Sequence, residues 1–257
     1  MTEFPVFVQA RVVWALILRE TQTRFGDTRL GYVWALIEPI AHVAILSGLY
    51  KLLQRSAPVG TLETFFITGI MPFFLFNHTA SRLSRALSAN FMLLRLPPVT
   101  ALDVMAARAI LQGVTWVVVF LILLIGLTLM GKGLWPAHPE VCALAALVTF
   151  FLGCGVGMIN AVLNGLFKSW DRVYTALTRP LYLLSGIFYV VDYLPEQARR
   201  ALSWNPLVHA IEWFRTGFFR NFTSLTLDPQ YLITWAVGSM FLGLCLERVF
   251  RSRIITR

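Results

Sequence analysis

Charge is scarce in this chain: 14% of its 257 residues are Asp, Glu, Lys or Arg, where soluble domains carry roughly a quarter. Together with 57% hydrophobic residues and a mean hydropathy of +0.69, that shortage excludes a soluble enzyme and a disordered chain and points to a membrane protein. Cysteine is nearly absent as well. Cys142, Cys154 and Cys245 lie in apolar runs without CxxC spacing, so they read as small buried apolar residues and not as a zinc or disulfide framework. The four histidines, His42, His78, His138 and His209, are scattered, and HExxH, GxSxG and paired-Asp motifs are missing. This disfavours an intramembrane protease, phosphotransferase or glycosyltransferase. A phosphate loop is missing too. Residues 126 to 133, GLTLMGKG, match GxxxxGK but lack the following Ser or Thr that would hold magnesium, and they end an apolar helix instead of joining a strand to a helix. No cleavable signal peptide is expected, and no internal repeat suggests a carrier built from inverted halves.

What is abundant is apolar stretches. Six can cross a bilayer, which takes roughly 20 helical residues: about 31 to 53, 61 to 80, 104 to 130, 141 to 166, 174 to 191 and 230 to 247. Residues 6 to 18, interrupted by Gln9 and Arg11, are too short to span and read as an amphipathic interfacial helix ending in the charged stretch Arg19 to Arg29. Little chain remains for a soluble domain, so residues 1–257 read as one all-α polytopic transmembrane domain. An even number of spans puts both termini on one side, and Lys and Arg decide which. Thirteen of them fall on the terminal side: Arg11, Arg19, Arg24 and Arg29; Arg82, Arg85 and Arg95; Lys168 and Arg172; Arg248, Arg251, Arg253 and Arg257. The two short opposite connections hold Arg55 and Lys132. Both termini are therefore expected in the cytoplasm. The net charge of +9 then reflects cytoplasmic loops near anionic lipid and not nucleic-acid binding, for which no compact basic domain remains.

The connection from 192 to 229 breaks this pattern, with Arg199, Arg200, Arg215 and Arg220 on the outer side. Asn205-Pro206 is a helix start, Asn as cap and Pro at the first helical position. The apolar run that follows, about 13 residues, is too short to span. A pair of re-entrant or interfacial helices, near 195 to 203 and 206 to 219, is predicted.

Among ionisable residues at membrane depth, Glu38 is the deepest, followed by Arg179, Lys51 and Arg108. Lys51 and Arg108 are near enough to span ends to snorkel. Glu38 and Arg179 either line a pathway or form a structural pair, and Glu38 with His42, four residues apart, would suit a proton-coupled carrier. Phe65, Phe66, Phe73, Phe74 and Phe76 crowd the second span, and Tyr182, Phe188, Tyr189 and Tyr193 the fifth. Most read as lipid-facing bulk or interfacial belt; a subset can offer ring faces to sugars. Phe73, Phe74, Phe76, Arg179, Tyr182 and Tyr189 are the candidates for a translocation path. Gly153 and Gly157, four apart in an apolar span, read as a site of close helix approach.

The segment LRETQTRFGDTRLGYVWALIEPI, Leu18 to Ile40, resembles the opening motif of ABC-2 type exporter membrane subunits. The matching positions are Arg19-Glu20, Arg24-Phe25, Leu30-Gly31, Trp34 and Pro39. The form TRFG..RLGY.WA..EP.AH is similar to the capsular polysaccharide exporter branch, as is WNPLVHAIEWFR from Trp204 to Arg215. The resemblance covers essentially the whole chain. It implies a half-transporter with no cofactor of its own: a homodimer forms the pore, and two separate subunits bind ATP and Mg on the cytoplasmic face. Arg19, Glu20, Arg24, Phe25, Arg29, Trp34 and Glu38 would then form the cytoplasmic gate, where substrate enters. Residues 82–98 would couple to the ATPase through Arg82, Arg85, Phe91, Leu94 and Arg95. Trp204, Asn205, Trp213 and Arg215 would belong to a periplasmic gate whose basic residues contact an acidic polymer. The implied function is ATP-driven export of lipid-linked, acidic capsular polysaccharide across a bacterial inner membrane. A periplasmic co-polymerase-like adaptor and an outer-membrane channel would be partners. Export of O-antigen or another lipid-linked glycan is the alternative within the family, and an ion-coupled carrier the one outside it.

Overall fold

The computed structural model describes residues 5–25, 31–95, 99–131, 135–167 and 169–255. Among them are ten α-helices and no strand: α1 Pro5–Phe25, α2 Gly31–Leu52, α3 Leu62–Ser84, α4 Ala86–Ala89, α5 Ala101–Leu129, α6 Pro139–Leu166, α7 Trp170–Leu183, α8 Glu196–Leu202, α9 Pro206–Phe218 and α10 Pro229–Ile255. Four are long and apolar enough to cross a membrane, over Val33–Leu52, Ala101–Leu129, Pro139–Leu166 and Pro229–Arg251. Helix α3 has the length, about 35 Å at 1.5 Å per residue. Its hydropathy is diluted by Thr64, Thr68, Asn77, His78 and Thr79, because it faces protein on nearly every side. Most of its residues are buried, and hydroxyls such as Thr68 Oγ1 donate to the helix's own carbonyls, here Phe65 O at 2.9 Å.

Helix α6 holds the bundle together by presenting glycines on two faces. A Cβ on Gly153 would lie 3.0 Å from Phe76 O, and one on Gly157 2.7 Å from Leu83 Cβ, so α3 approaches at backbone distance. A Cβ on Gly155 would lie 2.3 Å from Ser239 Oγ, so α10 does the same on the other face. Helix starts follow local capping chemistry. Thr61 caps α3, and Asn205 Oδ1 accepts from Leu207 N at 3.0 Å ahead of Pro206 to start α9. At α5, Thr100 and Asp103 form a reciprocal capping box, and Asp103 Oδ2 also accepts from Gln9 Nε2 of α1. Asp103→Ala is expected to cost about 1–2 kcal/mol, seen as a lowered midpoint of thermal unfolding in detergent. Asp103→Asn, which keeps an acceptor, should lose less.

Helix α1 ends within the charged stretch, at Phe25, as the sequence suggests. Glu20 pairs with Arg108 at 3.0 Å, and Arg19 Nη1 donates to Asn90 Oδ1 at 2.8 Å, so tertiary partners hold those turns helical. Arg108 therefore does not snorkel freely, and Lys51 is tied to Glu63 at 2.9 Å. The expected span 174 to 191 is helical only to Leu183. Gly186, at φ +82°, reverses the chain in a conformation that favours glycine, and a 3-10 turn follows at Val191–Tyr193. Cys142 and Cys154 are buried, but Cys245 is exposed on α10.

Candidate functional site

Helix α2 stands between two cavities, and Glu38 and His42 border both. One, of about 580 Å³, lies between α2, α3 and α7 and is lined by Phe73, Phe74, Asn77, Arg85, Arg179 and Tyr182. The other, of about 590 Å³, lies between α2, α3 and α5 and is lined by Trp34, His78, Arg82, Gln112 and Trp116. Each has the volume of a small-ligand site. The carboxylate does not pair with His42 as the four-residue spacing suggests. His42 Nδ1 donates instead to the Glu38 backbone carbonyl at 2.9 Å, a bond that follows the helical turn, while Glu38 Oε1 lies 3.4 Å from His78 Nε2 on α3.

Aromatic rings knit the cavity walls. Phe74 meets His42, His78 and Trp116 edge to face at centroid distances of 5.0, 5.2 and 5.9 Å, and Tyr182 meets Phe73 at 5.0 Å and Phe188 at 5.4 Å. Of the six expected path residues, Phe73, Phe74, Arg179 and Tyr182 come together in one cavity. Phe76 does not: its backbone lies against Gly153 of α6, and it sits in the apolar core. Tyr189 does not either; its hydroxyl donates to Leu183 O at 3.2 Å beside the chain reversal.

At the α1 end of α3, the expected coupling residues separate. Arg82 is exposed and lines the cavity between α2, α3 and α5. Leu94 is buried at 8% exposure with Leu16, Leu83 and Leu87, whereas Met92 is 75% exposed. The apolar side chain this segment offers outward is therefore Met92 and not Leu94, because Leu94 anchors the turn to the bundle. Phe91 is half-buried and Arg85 exposed. Arg29 and the side chains of Arg24, Phe25 and Arg95 fall outside the described residues.

The far end is built on a buried cation. Arg215 of α9 has no exposure; its Nη1 donates to Gly186 O at 2.9 Å and Tyr189 O at 3.2 Å, and its Nη2 to Ile187 O at 3.3 Å. Its guanidinium carbon stands 4.2 Å over the Phe65 ring, and Glu212 Oε1 lies 3.4 Å away. Burial thus corrects the expectation that Arg215 meets a polymer: it satisfies the carbonyls that the 184–190 reversal leaves without helical partners. Trp213 is buried too, while Trp204 is 78% exposed. Asn205, besides capping α9, donates from Nδ2 to Leu184 O at 3.1 Å. Gly186 inside an expected span was the one sequence signal for this reversal. Among the described residues, no group of three His, Cys, Asp or Glu offers a metal site.

The sequence pattern of the ABC-2 type transporter family matches residues 11–219. The chain belongs to that family. This ABC-2 member is 34% identical over 250 residues to a polysialic acid transport protein, KpsM, of Escherichia coli, covering 97% of each chain. It is 25% identical over 250 residues to the capsule polysaccharide export inner-membrane protein CtrC of Neisseria meningitidis serogroup A, covering 97% of this chain and 94% of the other. An O-antigen export system permease protein, RfbA, of Klebsiella pneumoniae is more distant, at 22% identity over 83% of this chain and 81% of that one. The ABC-2 chain is thus a transport permease of the inner membrane and not an enzyme.

Proposed function

We propose that this ABC-2 permease is the membrane subunit of an ATP-driven exporter of lipid-linked, acidic capsular polysaccharide. The observation that carries this reading is end-to-end similarity to relatives named for polysialic acid transport and capsule export. In this reading α2, α3, α5, α6, α7 with the reversal after it, and α10 make six crossings. The termini lie in the cytoplasm, and α8 and α9 form re-entrant elements on the periplasmic side. Two copies pair with two ATP-binding subunits, which hold ATP and Mg, and a periplasmic adaptor and outer-membrane channel take the product onward.

The cavity between α2, α3 and α7 suits a glycan in kind. Phe73 and Tyr182 offer ring surface to pyranose faces, Asn77 and Thr178 offer hydrogen bonds to hydroxyls, and Arg85 and Arg179 offer charge to carboxylates. Force reaches it through the segment after α3. Arg19 binds Asn90, Leu94 packs beneath α1 and α5, and Glu20 binds Arg108, so a push on residues 85–95 moves α1, α3 and α5 together.

The test is ATP hydrolysis by the permease purified with its ATP-binding partner in lipid, read alongside surface polysaccharide in cells. Met92→Glu combined with Arg95→Glu is expected to lower permease-stimulated hydrolysis at least about tenfold, the loss from burying an unpaired charge in an interface, and to leave polysaccharide inside the cell. If no ATPase co-purifies and deleting the gene leaves surface polysaccharide unchanged, the reading fails and an ion-coupled carrier takes its place.

A further inference from the structure

A cavity of about 1000 Å³ near the start of α6 is lined by none of the expected site residues. It is built from the connections between α2 and α3, α5 and α6, α7 and α8, and α9 and α10, and is lined by Val59, Trp135, Tyr193, Arg220, Asn221 and Thr223. The α5–α6 connection is pinned in place, Ala137 N donating to Phe218 O at 3.1 Å and His138 N to Gly217 O at 2.8 Å. A second cleft of about 470 Å³ adjoins it across Leu225, lined by Arg199, Trp204 and Tyr231. Leu225 belongs to both clefts, so they form one trough.

The trough's chemistry is specific. Trp135, Tyr193 and Trp204 are exposed, yet they border concave clefts alongside Arg and Asn side chains, where an interfacial belt would turn its rings to lipid. Its acids are already engaged. Asp192 accepts from Leu225 N at 2.7 Å and from Thr226 N at 3.1 Å and Oγ1 at 2.5 Å, so both its oxygens hold the 225–226 turn. Asp228 Oδ1 accepts from Tyr231 N at 3.0 Å. His209 is engaged as well: Nδ1 accepts from Asp228 N at 2.9 Å and Nε2 donates to Ser203 O at 2.8 Å. What remains open is ring faces, an amide and the guanidinium groups of Arg220 and Arg199. Flat apolar faces beside cations and amide donors fit a strand of acidic sugars, whose ring faces stack and whose carboxylates pair.

We infer that this trough, on the side of the permease opposite the ATPase, is a binding site for an acidic oligosaccharide strand, with Trp135 and Arg220 its principal contacts. The inference rests on the export reading and places a receiving site for the emerging polymer outside the α2 cavities.

The test uses the permease with its ATP-binding partners in phosphatidylcholine nanodiscs, titrated by calorimetry with a hexamer of sialic acid and with neutral maltohexaose. The sialic acid hexamer is expected to bind more tightly, and increasingly so as salt is lowered. Trp135→Ala and Arg220→Glu are each expected to weaken it about tenfold, with Trp135→Phe and Arg220→Lys keeping most of the affinity and ATP hydrolysis unchanged in all four. Absence of hexamer binding, equal binding of maltohexaose, unchanged affinity in the variants, or loss of binding when phosphatidylglycerol replaces phosphatidylcholine would each overturn the site, the last by marking it as a lipid-headgroup site. Loss of a periplasmic protein partner with hexamer binding intact would overturn it in favour of a protein contact. Any of these results beside normal surface polysaccharide in wild-type cells leaves the export reading standing; an unchanged surface after gene deletion defeats that reading instead.

Discussion

Arg215→Ala is expected to destabilise the folded permease by about 3–5 kcal/mol, the range for removing one partner of a buried ion pair. The effect is large because Arg215 has several dependants. Three carbonyls, those of Gly186, Ile187 and Tyr189, receive its N–H groups, and a fully buried Glu212 lies beside it. Alanine strips all of them at once in a place water does not reach. Lysine does not replace it, since one ammonium lacks the planar fork that spreads over these acceptors. Arg215→Met together with Glu212→Gln should recover part of the loss by removing the stranded carboxylate, though the carbonyls stay unpartnered. Unfolding midpoints in a mixed detergent titration check all three variants. An Arg215→Ala loss under about 1 kcal/mol, the worth of an exposed pair, would mean that the reversal stands without its anchor.

The second large effect concerns a single methyl group. Gly155→Ala places a Cβ 2.5 Å from Met240 N and 2.6 Å from Ser239 C; these are backbone atoms, so α10 must move away from α6. The expected cost is about 3 kcal/mol, the upper part of the usual range for overpacking. Gly238→Ala, on α10 itself, meets nothing within 4 Å and should be neutral or stabilising by up to about 1 kcal/mol through helix propensity. The same chemical change is then costly on α6, where it faces Ser239 and Met240, and harmless on α10 at Gly238, the residue before Ser239. Thermal unfolding of the two variants side by side decides it, and equal effects would remove α6–α10 contact as the cause.

Local chemistry in the sequence accounts for much of the helical frame. Asn205-Pro206 starts α9 where the cap and proline predict, and the stretches at 31–53, 104–130 and 141–166 lie within a few residues of α2, α5 and α6. Periodicity and caps act within a turn or two, so they are legible one window at a time. The reversal at 184–190 was not, because its residues are as apolar as a span and what breaks the helix there is Gly186 together with an arginine 29 residues later. The site residues divide in the same way. Glu38 stands out as an acid at membrane depth, but its partner His78 comes from another helix, and nothing in an i, i+4 pattern selects it over His42. Leu94 and Met92 read alike as apolar knobs, and only packing against Leu16 and Leu87 determines which one faces out. The trough draws on four connections far apart in sequence, and a single window holds no more than one of its walls.

The glycine face that α6 turns toward α10 has a consequence for how the chain is made. Gly155 meets Ser239, Met240 and Gly243, on α10, which is synthesised well after α6. At roughly 5–20 residues per second, the hundred or so residues between Gly155 and the end of α10 take about 5–20 s to synthesise. Throughout that interval the nascent protein carries an open small-residue seam within the bilayer, with no side chains of its own to fill it. The seam closes only once α10 has been made.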